Sequence, residues 1–256
     1  MIKQSDIIAD MHTHTIFSEH AYSTIKENIE IAKERNIKYL AITDHYYNEG
    51  TDIHKKNETT RIMYMEENIN PYEKDIQIIQ SAEFNLNQSI YNKNKMQTLK
   101  WKPIGLHSWF VDIPNTDLDT LYHLFKNSIP FCNCFVHIER ELHKVENGKY
   151  KVNPYGKGLC SNIELFLEAI CIIAKENNIY LELNENSILL DECGGVERIK
   201  YWLEYAKRHG NYISLGSDAH YCKRVGDFTN SIKLLNEIKF PQERILNCNE
   251  ELLLNL

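Results

Sequence analysis

At 256 residues, with 43% hydrophobic and 25% charged side chains, the chain has ordinary globular composition and can bury a core without disulfide staples. It holds no run of about 18 apolar residues, so no membrane span is expected. Its net charge of −7, with scattered Lys and Arg, argues against a large nucleic-acid surface.

The start, MIKQSDIIADMH, lacks the charged, apolar and small-residue regions of a signal peptide. Seven irregularly spaced cysteines then read as reduced thiols of a cytoplasmic protein. From here a short apolar strand, a polar turn and an amphipathic helix repeat along the chain. IIADMH (7–12) is the first strand, and STIKENIEIAKERN (23–36) a helix capped by Ser23 or Thr24. KYLAITDH (38–45), IQIIQSAEF (76–84) and WKPIGLH (101–107) follow as strands, then PFCNCFVHI (130–138), IYLELN (179–184) and YISLGSDAH (212–220). Helical patterns separate most of them, LDTLYHLFKN, NIELFLEAICIIAKENN, VERIKYWLEYAKRHG and FTNSIKLLNEIKF, with Gly210 where a C-cap belongs.

Three stretches fit the repeat poorly: 46–75, with a helix expected around 58–69, the Asn/Lys-rich 85–100, and the loop 143–158. Strands alternating with helices predict a parallel sheet, and seven repeats predict a distorted (β/α)7 TIM-like barrel as one domain over 1–256. An open doubly wound sheet is the alternative, but no Gly-rich phosphate loop follows an early strand.

The seven strands end in DMHTH, TDH, SAEF, GLH, FVH, LELN and SDAH. In a parallel barrel these ends share one face, where active sites lie. Side chains two apart on a strand point the same way, which pairs His12 with His14 and Asp218 with His220. The candidate metal ligands are His12, His14, His20, His45, Glu83, His107, His137, Asp218 and His220. Nine ligands exceed the four of one tetrahedral zinc. Three divalent ions sharing the Glu83 carboxylate would use them economically, with Zn first and Mn or Fe as alternatives. Taken singly, a strand-end histidine is more often hydrogen-bonded structure. Seven together have no packing rationale that also explains Glu83 and Asp218. His54, His123, His143 and His209 lie on expected loops or helices and need no function. Cys132 and Cys134 read as small buried apolar side chains. Glu182 and Asn184 either support the site or satisfy the strand ends.

The ordered set DMHTH, ITDH, SAEF, GLH, FVH and GSDAH, with HAYST and FPQERILN, resembles the PHP (polymerase and histidinol phosphatase) superfamily and its standalone bacterial members. The resemblance spans about the entire chain. It implies a distorted (β/α)7 barrel whose trinuclear site hydrolyses phosphoesters. Carried over by position, it gives His12, His14, Glu83 and Asp218 one metal. Glu83 bridges to a second held by His107 and His137, and His20, His45 and His220 hold a third. One departure is visible: many relatives have HPG after the fifth-strand histidine, where this chain has HIER, a change that touches substrate shape more than metal binding.

With neutral imidazoles and ionised Glu83 and Asp218, three divalent ions leave a local charge of about +4, enough to draw in a phosphate despite the negative total. The expected reaction is in-line attack on phosphorus by a metal-bound hydroxide, with Glu83, Asp218 and His220 as the catalytic residues. Asp10 and Asp44 are expected to orient neighbouring imidazoles. Ser18, Arg140, Lys223 and Arg224 are candidate substrate contacts, each to be weighed against an ordinary solvated side chain. The leading reading is a phosphomonoesterase acting on a small phosphorylated metabolite, with histidinol phosphate one candidate. The alternatives are a nuclease or phosphodiesterase, and a non-catalytic metal-binding module. Oligomeric state is not legible.

Overall fold

The computed structural model describes residues 1–18, 20–46, 73–86, 99–107, 117–140, 142, 162–190 and 195–256. Within them the order of elements is β1 (Ala9–Thr13), α1 (Ile25–Glu34), β2 (Tyr39–Ile42), β3 (Gln77–Gln80), β4 (Phe84–Asn85), β5 (Pro103–Gly105), α2 (Leu118–Ser128), β6 (Cys134–Val136), α3 (Ile163–Glu176), β7 (Tyr180–Asn184), α4 (Glu185–Leu190), α5 (Gly195–His209), β8 (Ile213–Gly216), α6 (Thr229–Ile238) and α7 (Glu250–Leu254). The helix expected over 58–69, the loop 143–158 and most of 85–100 lie outside the described residues.

Local chemistry accounts for the boundaries. Thr24 caps α1 by accepting from the Glu27 N–H, and the Glu27 carboxylate reaches back to the Thr24 N–H, a reciprocal capping box. Ser23, the other cap candidate, instead accepts from the Cys222 N–H at 2.7 Å. Asp117 and Asn162 cap α2 and α3 one way only, accepting from the Thr120 and Leu165 N–H groups. Gly210 follows α5 at φ +76°, the left-handed conformation that glycine adopts without a Cβ penalty.

The fold is α/β with parallel sheets, as the repeat predicted. The strands pair in the orders β1-β2-β3 and β4-β5-β6-β7-β8, every pair parallel. The expected strand over 76–84 is broken into β3 and β4, around Ser81, Ala82 and Glu83. Across that break, Ser81 bridges Trp101 and Glu83 bridges His45. At the other edge, Thr13 bridges Ala219, the Asp218 N–H donates to the His12 carbonyl at 2.8 Å, and the His14 N–H to the Ala219 carbonyl at 2.9 Å. Ala9, Met11, Ala41, Ile79, Trp101, Cys134 and Val136, drawn from both sheets, form one buried cluster. A larger cluster packs the strands against the helices. Parallel pairing therefore sends the C-terminal ends of the strands to one end of the molecule.

Candidate metal centre

At that end lie all nine candidate ligands. His12 is the last residue but one of β1, and His14 follows the strand. His45 follows β2, Glu83 sits in the break before β4, His107 and His137 follow β5 and β6, and Asp218 and His220 follow β8. His20 comes from the loop after β1. Two ligands require unusual backbone: His137 has φ +33° and Asp218 φ +50°, in the left-handed region that non-glycine residues seldom occupy. Such strain persists where the surroundings over-determine it, and it concentrates at functional sites.

Glu83 is the centre of the group. Its Oε1 lies 2.7 Å from His137 Nε2 and 3.2 Å from His107 Nε2. Its Oε2 lies 2.9 Å from His45 Nδ1, 3.5 Å from His12 Nε2 and 3.6 Å from His14 Nε2. Asp218 Oδ1 stands 3.2 Å from His14 Nε2 and 3.7 Å from His12 Nε2. His20 Nε2 faces His220 Nε2 at 2.8 Å and His45 Nε2 at 3.4 Å. Seven of the nine are buried, while His20 is exposed and His220 partly so, which puts the open mouth on their side.

This donor set fits divalent cations. Three overlapping triples, His12/His14/Asp218, His45/Glu83/His107 and His14/His45/His220, each hold their ligand atoms within 4.8 Å of one another. Tetrahedral zinc, with arms of about 2.0–2.1 Å, sets neighbouring ligand atoms roughly 3.3 Å apart. The His12–His14 nitrogens at 3.1 Å and the His14–Asp218 pair at 3.2 Å match that spacing. Glu83 Oε2 makes no aligned hydrogen bond although three imidazole nitrogens lie within 3.6 Å. Atoms so close yet misaligned aim at the space between them.

Several charges depend on their neighbours. Burial would raise Glu83 and Asp218, but surrounding imidazoles hold both well below the ordinary carboxylate range, His107, His12 and His45 for Glu83, His12 and His14 with Arg140 for Asp218. Burial would lower His12, yet the Glu182, Glu83 and Asp218 carboxylates hold it well above its usual value. His14 is driven well below by burial, and His107 to about 4.

Supporting residues fix which nitrogen faces the group. Glu182 Oε1 contacts His12 Nδ1 at 2.6 Å, and its Oε2 accepts from the His137 N–H and from Asn184 Nδ2. Glu182 thus belongs to the site, one of the two readings left open for it. Gly216 makes room: a Cβ there would lie 2.1 Å from Glu182 Oε1 and 2.5 Å from His12 Cβ. Gly105 does the same for the His137 ring, 2.5 Å from a Cβ built on it.

Ser18, expected to touch substrate, is fully buried beneath the imidazoles. Its hydroxyl donates to Asp44 Oδ1 at 2.5 Å, accepts from the His45 N–H at 3.2 Å and meets His14 Nδ1 at 2.9 Å. Asp44 is thereby linked to the His14 imidazole through Ser18. Among the described residues Asp10 contacts no imidazole: its carboxylate accepts from the backbone N–H groups of His12, Ser217 and Gly226 and ties chain segments together. Arg140 is at the site, donating Nη1 to Asp218 Oδ2 at 3.1 Å. Among the described residues, neither the Lys223 nor the Arg224 side chain contacts the group. Lys223 is exposed, and both belong to a short 3-10 turn whose carbonyls Arg35 holds. His123 lies exposed on α2, and His209 stacks on Tyr205; His54 and His143 are outside the described residues. Cys132 and Cys134 are buried and, among the described residues, join no metal-ligand group.

Comparison with known proteins agrees with this arrangement. The model of the PHP domain matches residues 10–162. A probable phosphatase of Shewanella loihica is 29% identical over 250 residues, spanning 96% of this chain and 92% of that protein. One from Clostridium novyi is 27% identical over 259 residues, spanning 96% and 93%. Among solved structures, histidinol phosphate phosphatase from Lactococcus lactis, complexed with zinc, L-histidinol and phosphate, superposes with a TM-score of 0.58 at 16% identity. That match covers 91% of this chain and 94% of the other.

Proposed function

The chain belongs to the PHP domain family, and from that premise we propose that it is a metal-dependent phosphomonoesterase acting on a small phosphorylated metabolite. The observation that carries the reading is Glu83, buried with both carboxylate oxygens ringed by five imidazoles and with Asp218 across from them. A carboxylate so placed suits bridging between cations. Three divalent ions are proposed, zinc before manganese or iron: one at His12, His14, Glu83 and Asp218, one at Glu83, His107 and His137, and one at His20, His45 and His220. When bound, the cations supply charge to hold the phosphoryl oxygens and an activated water at neutral pH.

The chain's own residues prepare that site. Glu182 holds the proton on His12 Nδ1, so that Nε2 offers its lone pair. Ser18 does the same for His14 Nδ1, backed by Asp44. Arg140, tied to Asp218, adds a fixed positive charge beside the pocket where a phosphate oxygen would come to rest. The reaction itself is assigned to Glu83, Asp218 and His220, the last at the open mouth, where an entering ester and a departing alcohol would pass. The two sheets are inferred to be parts of one distorted (β/α)7 barrel, a single domain over 1–256, a reading supported by the bridge from Thr13 of β1 to Ala219, just past the end of β8. Histidinol phosphate is one candidate substrate, suggested by the L-histidinol and phosphate in the Lactococcus lactis enzyme.

The test is an assay of the metal-reconstituted protein on para-nitrophenyl phosphate, its bis ester, histidinol phosphate and single-stranded DNA. Turnover of the monoesters alone is expected. Turnover of DNA, or of nothing after full metal loading, would overturn the reading.

A further inference from the structure

Two of the proposed ligands, His20 and His220, lie beyond the strands on separate loops, and one buried residue joins those loops. Of the stretch HAYST, His20 faces the mouth and Thr24 caps α1; Ser23, between them, is 1% exposed. Its carbonyl accepts the Ile16 N–H at 2.9 Å, closing the neck of the loop that presents His20. Its hydroxyl accepts the Cys222 N–H at 2.7 Å, two residues past His220. Beside it the Tyr22 N–H donates to the His220 carbonyl at 2.8 Å. Ser23 is thus the point where the two loops meet.

The rest of the loop after β8 is fastened to the same first strand and helix. Before His220 the anchors are backbone groups: the Asp218 N–H donates to the His12 carbonyl, and the Ala219 carbonyl accepts from the His14 N–H. After it, side chains take over. The Arg35 guanidinium, just past the end of α1, donates to the carbonyls of Lys223 and Val225, and Asp10 accepts from the Gly226 N–H. Asp10 also holds the His12 N–H, so altering it would disturb an inner ligand. Ser23 and Arg35 can be altered without removing a bond to any imidazole ring.

Three imidazole nitrogens meet at the mouth. His20 Nε2 stands 2.8 Å from His220 Nε2 and 3.4 Å from His45 Nε2, which brackets the roughly 3.3 Å between neighbouring ligands of a tetrahedral ion. His220 Nδ1 lies 3.0 Å from the Asp218 carbonyl, an acceptor that keeps the proton there and frees Nε2. Ligands carried on separate loops bind a cation well only when their spacing is fixed in advance, since otherwise binding must order the loops. The inner ligands are pinned by other means, His12 by Glu182, His14 by Ser18 and Asp218 by Arg140. We propose that Ser23 is the positioning residue for the mouth cation, locking His20 and His220 at binding distance and setting the affinity of that one site, with Arg35 bracing the same loop. This inference rests on the three-ion phosphomonoesterase reading above.

The experiment uses the full chain, loaded with zinc and dialysed against a series of chelator-buffered zinc concentrations, with bound zinc counted by elemental analysis. Wild type should give up one equivalent at a higher free zinc than the other two. In Ser23→Ala that equivalent should need about 10–100-fold more free zinc, while the inner two shift by less than about threefold. Arg35→Met, which keeps the aliphatic stem, should weaken the same equivalent by a smaller factor. At a free zinc that fills only the inner sites of Ser23→Ala, turnover of para-nitrophenyl phosphate should fall, and it should return when zinc is raised. A merely structural role would weaken all three equivalents together. That result, or an unshifted outer equivalent, would overturn the inference. Should Ser23→Ala fail to fold, Arg35→Met decides by the same criteria. A wild-type protein that never takes up a third equivalent would overturn both the inference and the three-ion reading. Three equivalents bound without turnover of any ester would count against the phosphomonoesterase reading alone, and the zinc series would still decide the role of Ser23.

Discussion

Replacing Gly216 with alanine puts a methyl carbon into the contact between Glu182 and His12. The new Cβ would stand 2.1 Å from Glu182 Oε1, 3.0 Å from Glu182 Cδ and 2.5 Å from His12 Cβ. His12 is part of β1 and cannot retreat without moving the strand, so Glu182 must give way by about 1 Å, an overpacking strain. Glu182 is itself pinned, at 2.6 Å to His12 Nδ1, at 3.2 Å to the His137 N–H and at 3.0 Å to Asn184. Losing one charge-assisted hydrogen bond costs about 1.5–3 kcal/mol and overpacking about 1–3 kcal/mol, offset by about 0.4–1 kcal/mol from the stiffer unfolded chain. The net expectation is a loss of about 2–5 kcal/mol, which lowers the melting temperature by about 2–4 °C for each kcal/mol in a chain of this size. Thermal and urea melts of the chelator-stripped protein read the packing term without stabilisation from bound cations. A zinc titration reads the second consequence, a fall in affinity of about 10–100-fold as His12 loses its orienting carboxylate. A Gly216→Ala protein that melts within about 1 °C of wild type and binds zinc equally well would refute the proposed packing of Glu182 on His12.

Three further variants probe separate parts of the argument. Glu83→Gln keeps the shape of the bridge and removes its charge; kcat/KM should drop by at least about 100-fold with metal content reduced by elemental analysis, and wild-type rates would refute the bridging role. Ser18→Ala removes the acceptor for the His45 N–H and the link from His14 to Asp44. Zinc affinity should fall about 10–100-fold while KM at saturating zinc holds steady. A KM that rises with metal fully bound would place Ser18 on the substrate instead. Glu185→Ala tests the scaffold: this buried carboxylate accepts from the backbone N–H and side chain of both Asn230 and Ser231, at 2.6–2.9 Å, at the start of α6, whose N-cap Phe228 offers no side-chain acceptor. Urea unfolding should show a loss of about 2–4 kcal/mol with metal content unchanged, and a loss under about 0.5 kcal/mol would contradict the capping role.

Much of this molecule could be read from residue order because the relevant forces are local. Alternating apolar runs such as KYLAITDH become strands because their side chains suit a pleated, buried surface. The Thr24–Glu27 box and Gly210 mark helix ends by interactions spanning a few residues. The break at Ser81–Glu83 was not legible, since it answers to partners on neighbouring strands, His45 and Trp101. Nor was the part played by Asp10, which faces backbone amides brought from Ser217 and Gly226, more than 200 positions away. Gly105 and Gly216 gave no sign of their roles either, because the rings and carboxylates that forbid a Cβ arrive from other strands.

The amino-acid order by itself determined which side chains end each strand, and hence that histidine, glutamate and aspartate would gather wherever the strand ends meet. Only the tertiary structure decided how they are held: Glu182 behind His12, Ser18 between His14 and Asp44, and Arg140 on Asp218. The reason is physical. Periodicity is written into short stretches of chain, whereas a hydrogen bond between residues 12 and 182 exists only once the intervening strands have chosen their register.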